Sequence, residues 1–217
     1  MLTVSDFLNK NYGKSVLKTE VLELGCGNGR ATNIFLEAFK NHKYNLDLVD
    51  LSLRMIESSK KRFLNNKNIK YINSDSIRYL QNNKKTYDLI FSLWSYSHSA
   101  HQILTKYGLR KGKKIITQAL IKTITQNMRK DSKFFLIHFD SQSDEQRILI
   151  KQWKKVFPIF KNDKRQSPSK LIIDDIFKKL EKDKVIRFSG KHYIGRSIHY
   201  PSIDKALEIF MNFHMES

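Results

Sequence analysis

Three glycines at alternate positions constrain this chain more than any other feature of its sequence. Gly25, Gly27 and Gly29 directly follow an apolar run at 21–24, and a stretch compatible with a helix begins at Arg30. The pattern predicts a strand, a tight turn and a helix start. Glycine adopts positive φ at little cost and lets the backbone approach a bulky ligand closely. The turn is therefore a candidate site for a nucleotide-like ligand.

The spacing of these glycines disfavours two phosphate-binding loops. A dinucleotide fingerprint needs glycine or alanine three residues after its second glycine, and Arg30 occupies that position here. A P-loop ends in Gly-Lys-Ser/Thr, whereas this loop ends in Gly29-Arg30-Ala31. Both interpretations therefore become less favoured.

Four motifs in order over residues 20–98 resemble those of the class I S-adenosylmethionine-dependent methyltransferases. The first motif of that family has an acidic residue, an apolar residue and Gly-x-Gly-x-Gly, as in Glu23 to Gly29 here. Acids after the second and third strands follow as Asp50 and Asp75. Tyr-Asp then precedes an apolar run at 87–93. From residue 140 onward the resemblance is one of general architecture only.

The resemblance implies an S-adenosylmethionine site with a role for each motif. Asp50 would accept the two ribose hydroxyls, Leu51 would pack against the adenine face, and Asp75 would accept from the adenine amino group. Glu23 would steady the loop or meet the ammonium end of the cofactor. The same site would include the loop residues and two serines: Gly25, Cys26, Gly27, Gly29, Ser76 and Ser92. Taken alone, Asp50 could be an acid favoured by a helix dipole, and Asp75 could cap the next helix.

Alternating strand and helix patterns predict a parallel sheet. We expect strands at 20–24, 45–50, 69–73, 87–93 and 134–139, with helices at 30–41, 53–65, 76–83, 99–107 and 114–128. Later segments predict helices at 143–157, 169–181 and 202–214 and an antiparallel hairpin of strands at 184–189 and 192–199. The expected fold is α/β and Rossmann-like, with a seven-stranded, mostly parallel sheet, helices on both faces and a C-terminal antiparallel hairpin. A methyltransferase domain at 20–217 would follow an N-terminal helical lead-in or lid at 1–19.

Composition agrees with one compact domain. The chain has 217 residues, of which 40% are hydrophobic, enough to bury a sizeable core. It has no apolar run of the roughly 18 residues that a membrane span needs, and its start lacks a signal-peptide core. We therefore expect a soluble, cytoplasmic protein. Its single cysteine, Cys26, is interpreted as a small residue that fits the glycine turn rather than as a nucleophile.

A formal net charge of +19 is the second unusual feature. Residues 106–133 contain nine Lys or Arg and one acid, Asp131, and residues 151–170 contain seven and one acid, Asp163. A field of this sign attracts nucleic acid or other anionic partners. The lysine and asparagine bias of an AT-rich genome would give a similar composition without any such function.

The acceptor pocket is expected after the fourth strand, at the carboxyl edge of the sheet. Candidate walls are Trp94 and Tyr96, with Tyr12 and Tyr193 closing a lid. His98 is the first candidate base and His101 the second, because histidine titrates in the useful pH range. The Asn/Asp-Pro-Pro-Tyr/Phe motif of enzymes that methylate amino groups of bases or glutamine is absent here.

These features favour methyl transfer to oxygen or nitrogen of a small-molecule metabolite. One alternative is an RNA methyltransferase that uses the basic surface, and another is a non-catalytic S-adenosylmethionine-binding protein. The sequence predicts no metal site and does not indicate an oligomeric state.

Overall fold

The computed structural model describes residues 18–138, 151, 155, 167–190 and 199–214. Within these residues five strands form one sheet: β1 (Thr19–Leu24), β2 (Tyr44–Asp50), β3 (Ile69–Asn73), β4 (Tyr87–Leu93) and β5 (Met128–Ile137). The helices with defined bounds are α1 (Arg30–Ala38), α2 (Leu53–Arg62), α3 (Ser76–Asn82), α4 (Tyr96–Gln126), α5 (Pro168–Lys182) and α6 (Ile203–His214).

The sheet is parallel throughout, with the strand order β3-β2-β1-β4-β5. The order reverses between β1 and β4, because β2 and β3 lie on one side of β1 while β4 and β5 lie on the other. In open α/β sheets a ligand binds beyond the carboxyl ends of the strands at such a reversal. The glycine turn follows β1 and is therefore at this point.

Both faces of the sheet are covered, and β1, β2 and β4 are therefore buried along almost their whole length. A hydrophobic core lies on each face of the sheet, and alternate residues of β1 pack into the two cores. Val21 belongs to the core on one face and Leu22 to the core on the other. Phe35 of α1 and Phe39, which follows the end of α1, stack on the first face with ring centroids 4.2 Å apart. The second face packs against side chains of α3, α4 and α5, among them Leu80, Leu104, Ile116, Leu120 and Ile176.

Helix α4 is two helical arms joined at Gly108, whose φ of 75° and ψ of 165° are not helical. A Cβ on Gly112 would lie 3.0 Å from the Cα of Leu104. In a straight α-helix two residues eight apart would be about 12 Å apart. The arms 96–107 and 109–126 therefore fold back on each other as a helical hairpin, and the break predicted between 107 and 114 is confirmed.

Two parts of the predicted fold differ from the structure or lie beyond it. Residues 186–190 form neither helix nor strand, so the strand predicted at 184–189 is not present. Its predicted hairpin partner at 192–198, the lead-in at 1–17 and most of the helix at 143–157 lie outside the described residues, as do the lid residues Tyr12 and Tyr193. Within the described residues the sheet has five strands, and the two further strands are not observed. No helix in this part of the chain has the length and apolar character that crossing a membrane requires.

Candidate functional site

The glycine turn is held between β1 and β2 by backbone hydrogen bonds. Its three glycines have φ values of 73°, 55° and 82° for Gly25, Gly27 and Gly29. The N–H groups of Gly25 and Cys26 both donate to the carbonyl oxygen of Val49, at 2.7 and 3.1 Å. Residues other than glycine rarely adopt these φ values, so the turn requires its glycines for conformational reasons.

The three glycines differ in what surrounds them. A Cβ on Gly25 would overlap the Ser95 hydroxyl at 1.7 Å, and a Cβ on Gly29 would lie 2.5 Å from the Phe63 ring. A Cβ on Gly27 would meet no protein atom within 4 Å. Gly25 and Gly29 therefore allow the turn to pack closely against the protein. Gly27 is the position where the backbone presents an open surface to a ligand.

Asp50 connects the end of β2 to the turn. Its Oδ2 accepts from the Gly27 N–H at 2.8 Å, and its Oδ1 accepts from the Ser52 N–H at 2.9 Å. A carboxylate has about four lone-pair sites, so two acceptor sites remain for a ligand diol. The neighbouring side chain of Leu51 is 57% exposed, and the Asn73 amide fixes its backbone by donating to the Leu51 carbonyl at 2.8 Å. An acceptor group thus lies beside an exposed apolar surface, as a ribose and an adenine require.

Asp75 caps α3, since its Oδ1 accepts from the Arg78 N–H at 2.8 Å. The simple capping role considered from sequence is therefore present, while Oδ2 has no hydrogen bond to the described residues. Ser76 follows it and is buried, with 3% of its surface exposed. The capping bond fixes the orientation of the carboxylate at the carboxyl edge of β3.

Glu23 is fully buried below the turn. Its Oε2 accepts from the Thr32 hydroxyl at 2.7 Å, whereas its Oε1 has no hydrogen-bond partner among the described residues. Burial raises the pKa of this carboxyl to about 8, the Thr32 hydrogen bond opposes that rise, and the negative charge of Asp50 adds to it. An ammonium group would satisfy the remaining oxygen and favour the ionised carboxylate.

Two further members of the predicted cofactor set have roles within the protein. The Cys26 side chain is buried, and burial raises its thiol pKa above the ordinary value, which agrees with a packing residue rather than a nucleophile. The Ser92 hydroxyl donates to the Leu24 carbonyl at 2.7 Å and accepts from the Tyr96 N–H at 3.0 Å. Ser92 therefore ties the end of β1 to the start of α4.

Tyr96 is not at the surface, although its sequence position suggested an acceptor wall. Its side chain is fully buried in the core that α4 shares with α3 and α5. The reason is helical periodicity, because Tyr96, Ala100 and Leu104 recur at intervals of four and so share the inward face of the first arm. The structure does not bring the Tyr96 ring into an open pocket.

Trp94 adopts φ of 61°, a left-handed conformation that is unusual for a bulky side chain. Its N–H donates to the Ile137 carbonyl at 2.9 Å, and its side chain is partly buried against the core on the α1 face of the sheet. A hydrogen bond at this point fixes the strained backbone. Such strain is concentrated at ligand sites in many proteins.

The two candidate bases lie in the first turns of α4. His98 is exposed, and its backbone N–H donates to the Ser95 carbonyl at 2.9 Å. His101 is partly buried, and burial together with the nearby His98 lowers the pKa of its imidazole to about 4. His101 is therefore neutral at pH 7 and a weak base. His98 is the more accessible of the two.

Several residues that support the turn were not predicted. Ser95 and Phe63 fill the space beside Gly25 and Gly29, Thr32 binds Glu23, and the Arg62 guanidinium donates to the Asn28 carbonyl at 2.9 Å. They come from α1, α2 and the start of α4, so only the tertiary fold brings them to the turn. No sequence pattern marks them.

Comparison with known proteins finds one family model that matches part of the chain. Residues 21–108 match the model of a family described as a methyltransferase domain. No curated protein sequence matches the chain.

Solved structures similar to the chain include an S-adenosylmethionine-dependent methyltransferase from Agrobacterium tumefaciens, at 15% identity and a TM-score of 0.45 over 68% of this chain and 47% of that one. Coclaurine N-methyltransferase, bound to N-methylheliamine and S-adenosylhomocysteine, is 22% identical, with a TM-score of 0.43 over 63% and 35%. The plantazolicin methyltransferase BpumL, in complex with S-adenosylhomocysteine, is 16% identical, with a TM-score of 0.46 over 82% and 59%. The chain therefore spans about half the length of these structures.

The matched residues, 21–108, contain most of β1, all of β2 to β4, the glycine turn, Asp50 at the end of β2 and Asp75 after β3. The family match, the parallel sheet with its reversal at β1, and the ordered motifs agree with one another. Residues 21–108, less than half of the chain, are therefore similar to a methyltransferase domain.

Proposed function

We propose that the chain transfers the methyl group of S-adenosylmethionine to an oxygen or nitrogen atom of a small-molecule acceptor. The observation that carries the proposal is the turn at Gly27, where open space, a left-handed backbone and the Asp50 carboxylate coincide. Both parts of the proposal, the cofactor and the acceptor class, are open to direct test.

The residues around the turn fit the parts of S-adenosylmethionine. Asp50 has acceptor sites left for the ribose hydroxyls, Leu51 offers an exposed apolar surface to adenine, and Asp75 has a free oxygen for the adenine amino group. The unpartnered Oε1 of Glu23 fits the ammonium group. When bound, the sulfonium of the cofactor makes its methyl carbon electrophilic.

The protein then has two tasks, alignment of the acceptor and removal of one proton. Trp94 would provide the apolar side of the acceptor pocket from the end of β4, and Ser95 would fix that segment against Gly25. His98 would take the proton from a hydroxyl acceptor, since it is exposed one turn into α4. A neutral amine acceptor would need only the pocket.

RNA is the second candidate acceptor, because α4 contains no acidic residue over its 31 residues and begins beside the turn. One experiment separates the two candidates. Purified protein is incubated with methyl-labelled S-adenosylmethionine and a cell extract, which is then fractionated into RNA and low-molecular-weight material. Label in the small-molecule fraction supports the proposal, whereas label in RNA contradicts it in favour of the second candidate. Label in neither fraction, with S-adenosylmethionine still bound, contradicts both and indicates a binding protein without catalysis.

A further inference from the structure

We propose that the tip of the α4 hairpin, residues 105–111, is a docking surface for single-stranded nucleic acid. The proposal goes beyond the proposed function, because it concerns a surface outside the acceptor pocket. It stands whether or not a nucleic acid is also the methyl acceptor.

The tip is a protrusion rather than part of a helix face. Gly108 breaks α4, and the close contact of Gly112 with Leu104 brings the two arms together. All seven residues from 105 to 111 are exposed, whereas Leu104 and Gly112 on either side are buried. The side chains of the tip are therefore presented to solvent by a fixed pair of helices.

Tyr107 provides a stacking surface at the centre of the tip. Its side chain is 38% exposed, and the ammonium groups of Lys106 and Lys111 lie 5.4 and 5.2 Å from its ring centroid. Both ammonium groups lie over the ring, so an unpaired base that stacks there would take the place of an ammonium group and leave it to bind a phosphate of the same strand. The tip thus combines an aromatic ring with cations, the two kinds of group that bind the bases and the phosphates of a single strand.

The positive charge of the tip is not neutralised by the described part of the protein. Two lysines elsewhere on α4 have partners of their own: Lys113 pairs with Asp175 at 3.7 Å, and Lys122 donates to the carbonyls of Gln81 and Asn83 at 2.6 and 2.8 Å. Lys106, Arg110 and Lys111 form no ion pair with a described acidic residue. Of the α4 cations that form no ion pair with a described acid, Lys106, Arg110 and Lys111 lie in the tip, and Lys114 follows it.

An anionic membrane is the less suitable partner for this surface. Insertion between lipid headgroups needs a continuous apolar face on an amphipathic helix. Within the tip, only Tyr107 and Leu109 are large apolar residues with exposed side chains. The helix is interrupted between them, at Gly108. Stacking together with phosphate binding describes the tip better than insertion does.

The tip also has a defined relation to the glycine turn. The first arm contains twelve residues, 96–107, and therefore spans about 18 Å from a start that contacts Gly25 through Ser95. A stacked strand at about 3.4 Å per nucleotide covers this distance with about five nucleotides. A short oligonucleotide is therefore a sufficient probe.

The test is fluorescence anisotropy with a labelled, unstructured RNA of about 12 nucleotides at about 150 mM salt, where nonspecific attraction is partly screened. Tyr107→Ala is expected to weaken binding about 5- to 100-fold through the loss of stacking, while Tyr107→Phe retains parental affinity. The double variant Arg110→Gln/Lys111→Gln is expected to weaken binding and to lower the salt dependence. Its matched control is Lys61→Gln/Lys67→Gln, which removes the same charge from exposed positions at and after the end of α2 and should have little effect.

Four outcomes would overturn the proposal. The first two are an equal loss of RNA affinity in the two double variants and parental RNA affinity in Tyr107→Ala. The third is binding of duplex RNA of equal length as tightly as the single strand. The fourth is binding of phosphatidylserine vesicles through the tip more tightly than RNA. If Tyr107→Ala unfolds, Tyr107→Phe keeps the test valid. This variant retains the ring, so it must have the parental melting temperature and the parental affinity for RNA. Binding of S-adenosylhomocysteine is measured on the same samples and reports separately on the proposed function.

Discussion

Glu23 has the most unusual electrostatic environment in the candidate site. It is fully buried, one oxygen has a hydrogen bond from Thr32, and the other oxygen has no partner among the described residues. Burial raises the pKa of its carboxyl from 4.5 to about 8, so the folded protein holds a proton here that the unfolded chain has released at neutral pH. The free energy of unfolding must therefore depend on this group.

The sign of that dependence follows from proton linkage. Because the pKa is raised in the folded state, the contribution to stability is complete below pH 4.5 and is lost as pH rises through 8. Glu23→Gln mimics the protonated acid and should flatten this part of the profile, whose slope is at most about 1.4 kcal/mol per pH unit. Urea unfolding of parent and variant at several pH values between about 5 and about 8.5 measures it. Parallel profiles for the two proteins would contradict the assigned protonation of Glu23.

His98 is the group on which hydroxyl-acceptor chemistry depends. If the acceptor is a hydroxyl, His98→Ala should lower kcat about 10²- to 10⁴-fold and leave cofactor affinity unchanged, because the side chain is exposed and outside the turn. His101→Ala is the comparison variant and should have a smaller effect, since burial and His98 lower its pKa to about 4. Steady-state kinetics with the identified acceptor tests both variants. A near-parental kcat in His98→Ala would remove it as the base.

The glycine turn allows a sharper test than any single side chain, because its glycines have different surroundings. Gly27→Ala places a methyl group in open space and should cost about 1 to 2 kcal/mol of stability through its left-handed backbone, while it abolishes close approach of the cofactor. Gly25→Ala adds an overlap with Ser95 to the same strain and should lower Tm further. Thermal melts with and without S-adenosylhomocysteine separate these effects. A Gly27→Ala protein that the ligand stabilises as much as the parent would contradict the location of the site.

The local sequence pattern predicted most of the strands and helices. Strands β1 to β4 begin and end within one residue of the predicted positions, and the glycine at the break of α4 is the usual signal of an interrupted helix. Strand β5 was predicted to start at 134 and starts at Met128. The extra residues include Asp131 with φ of 63° and lie beside a register shift against β4, so no simple alternation marks them.

The roles of single side chains were harder to predict than the elements, because they depend on packing. Tyr96 follows β4 at the edge where acceptors bind, yet the face of α4 turns its ring into the core. The Ser92 hydroxyl interacts with backbone groups of two other elements, Leu24 of β1 and Tyr96 of α4. The apolar pattern at 184–189 indicated a strand, but strand formation needs a neighbouring edge, and no described residue pairs with this segment.

The many positively charged side chains of the molecule differ in whether they form an ion pair with an acidic residue. Lys113 pairs with Asp175, whereas Lys111 at the hairpin tip contacts Tyr107 and forms no ion pair with a described acid. If the acceptor is a small molecule, neutralising Lys111, Lys113 and Lys114 together should leave kcat/KM on that acceptor unchanged, because none of them lies at the glycine turn. Kinetics of this triple variant with the identified acceptor provides the measurement. A large loss of kcat/KM would instead indicate an anionic macromolecule as the acceptor.

Binding of the cofactor at the turn is the central claim, and isothermal titration calorimetry tests it most directly. S-adenosylmethionine and S-adenosylhomocysteine should each bind at about one molecule per chain, while NAD gives no binding heat, because the turn lacks the third small residue of a dinucleotide fingerprint. Asp50→Ala should weaken binding by about 1 to 3 kcal/mol, since the ribose hydroxyls lose their acceptor. Parental affinity in Asp50→Ala, or no heat with either S-adenosyl compound, would contradict the account.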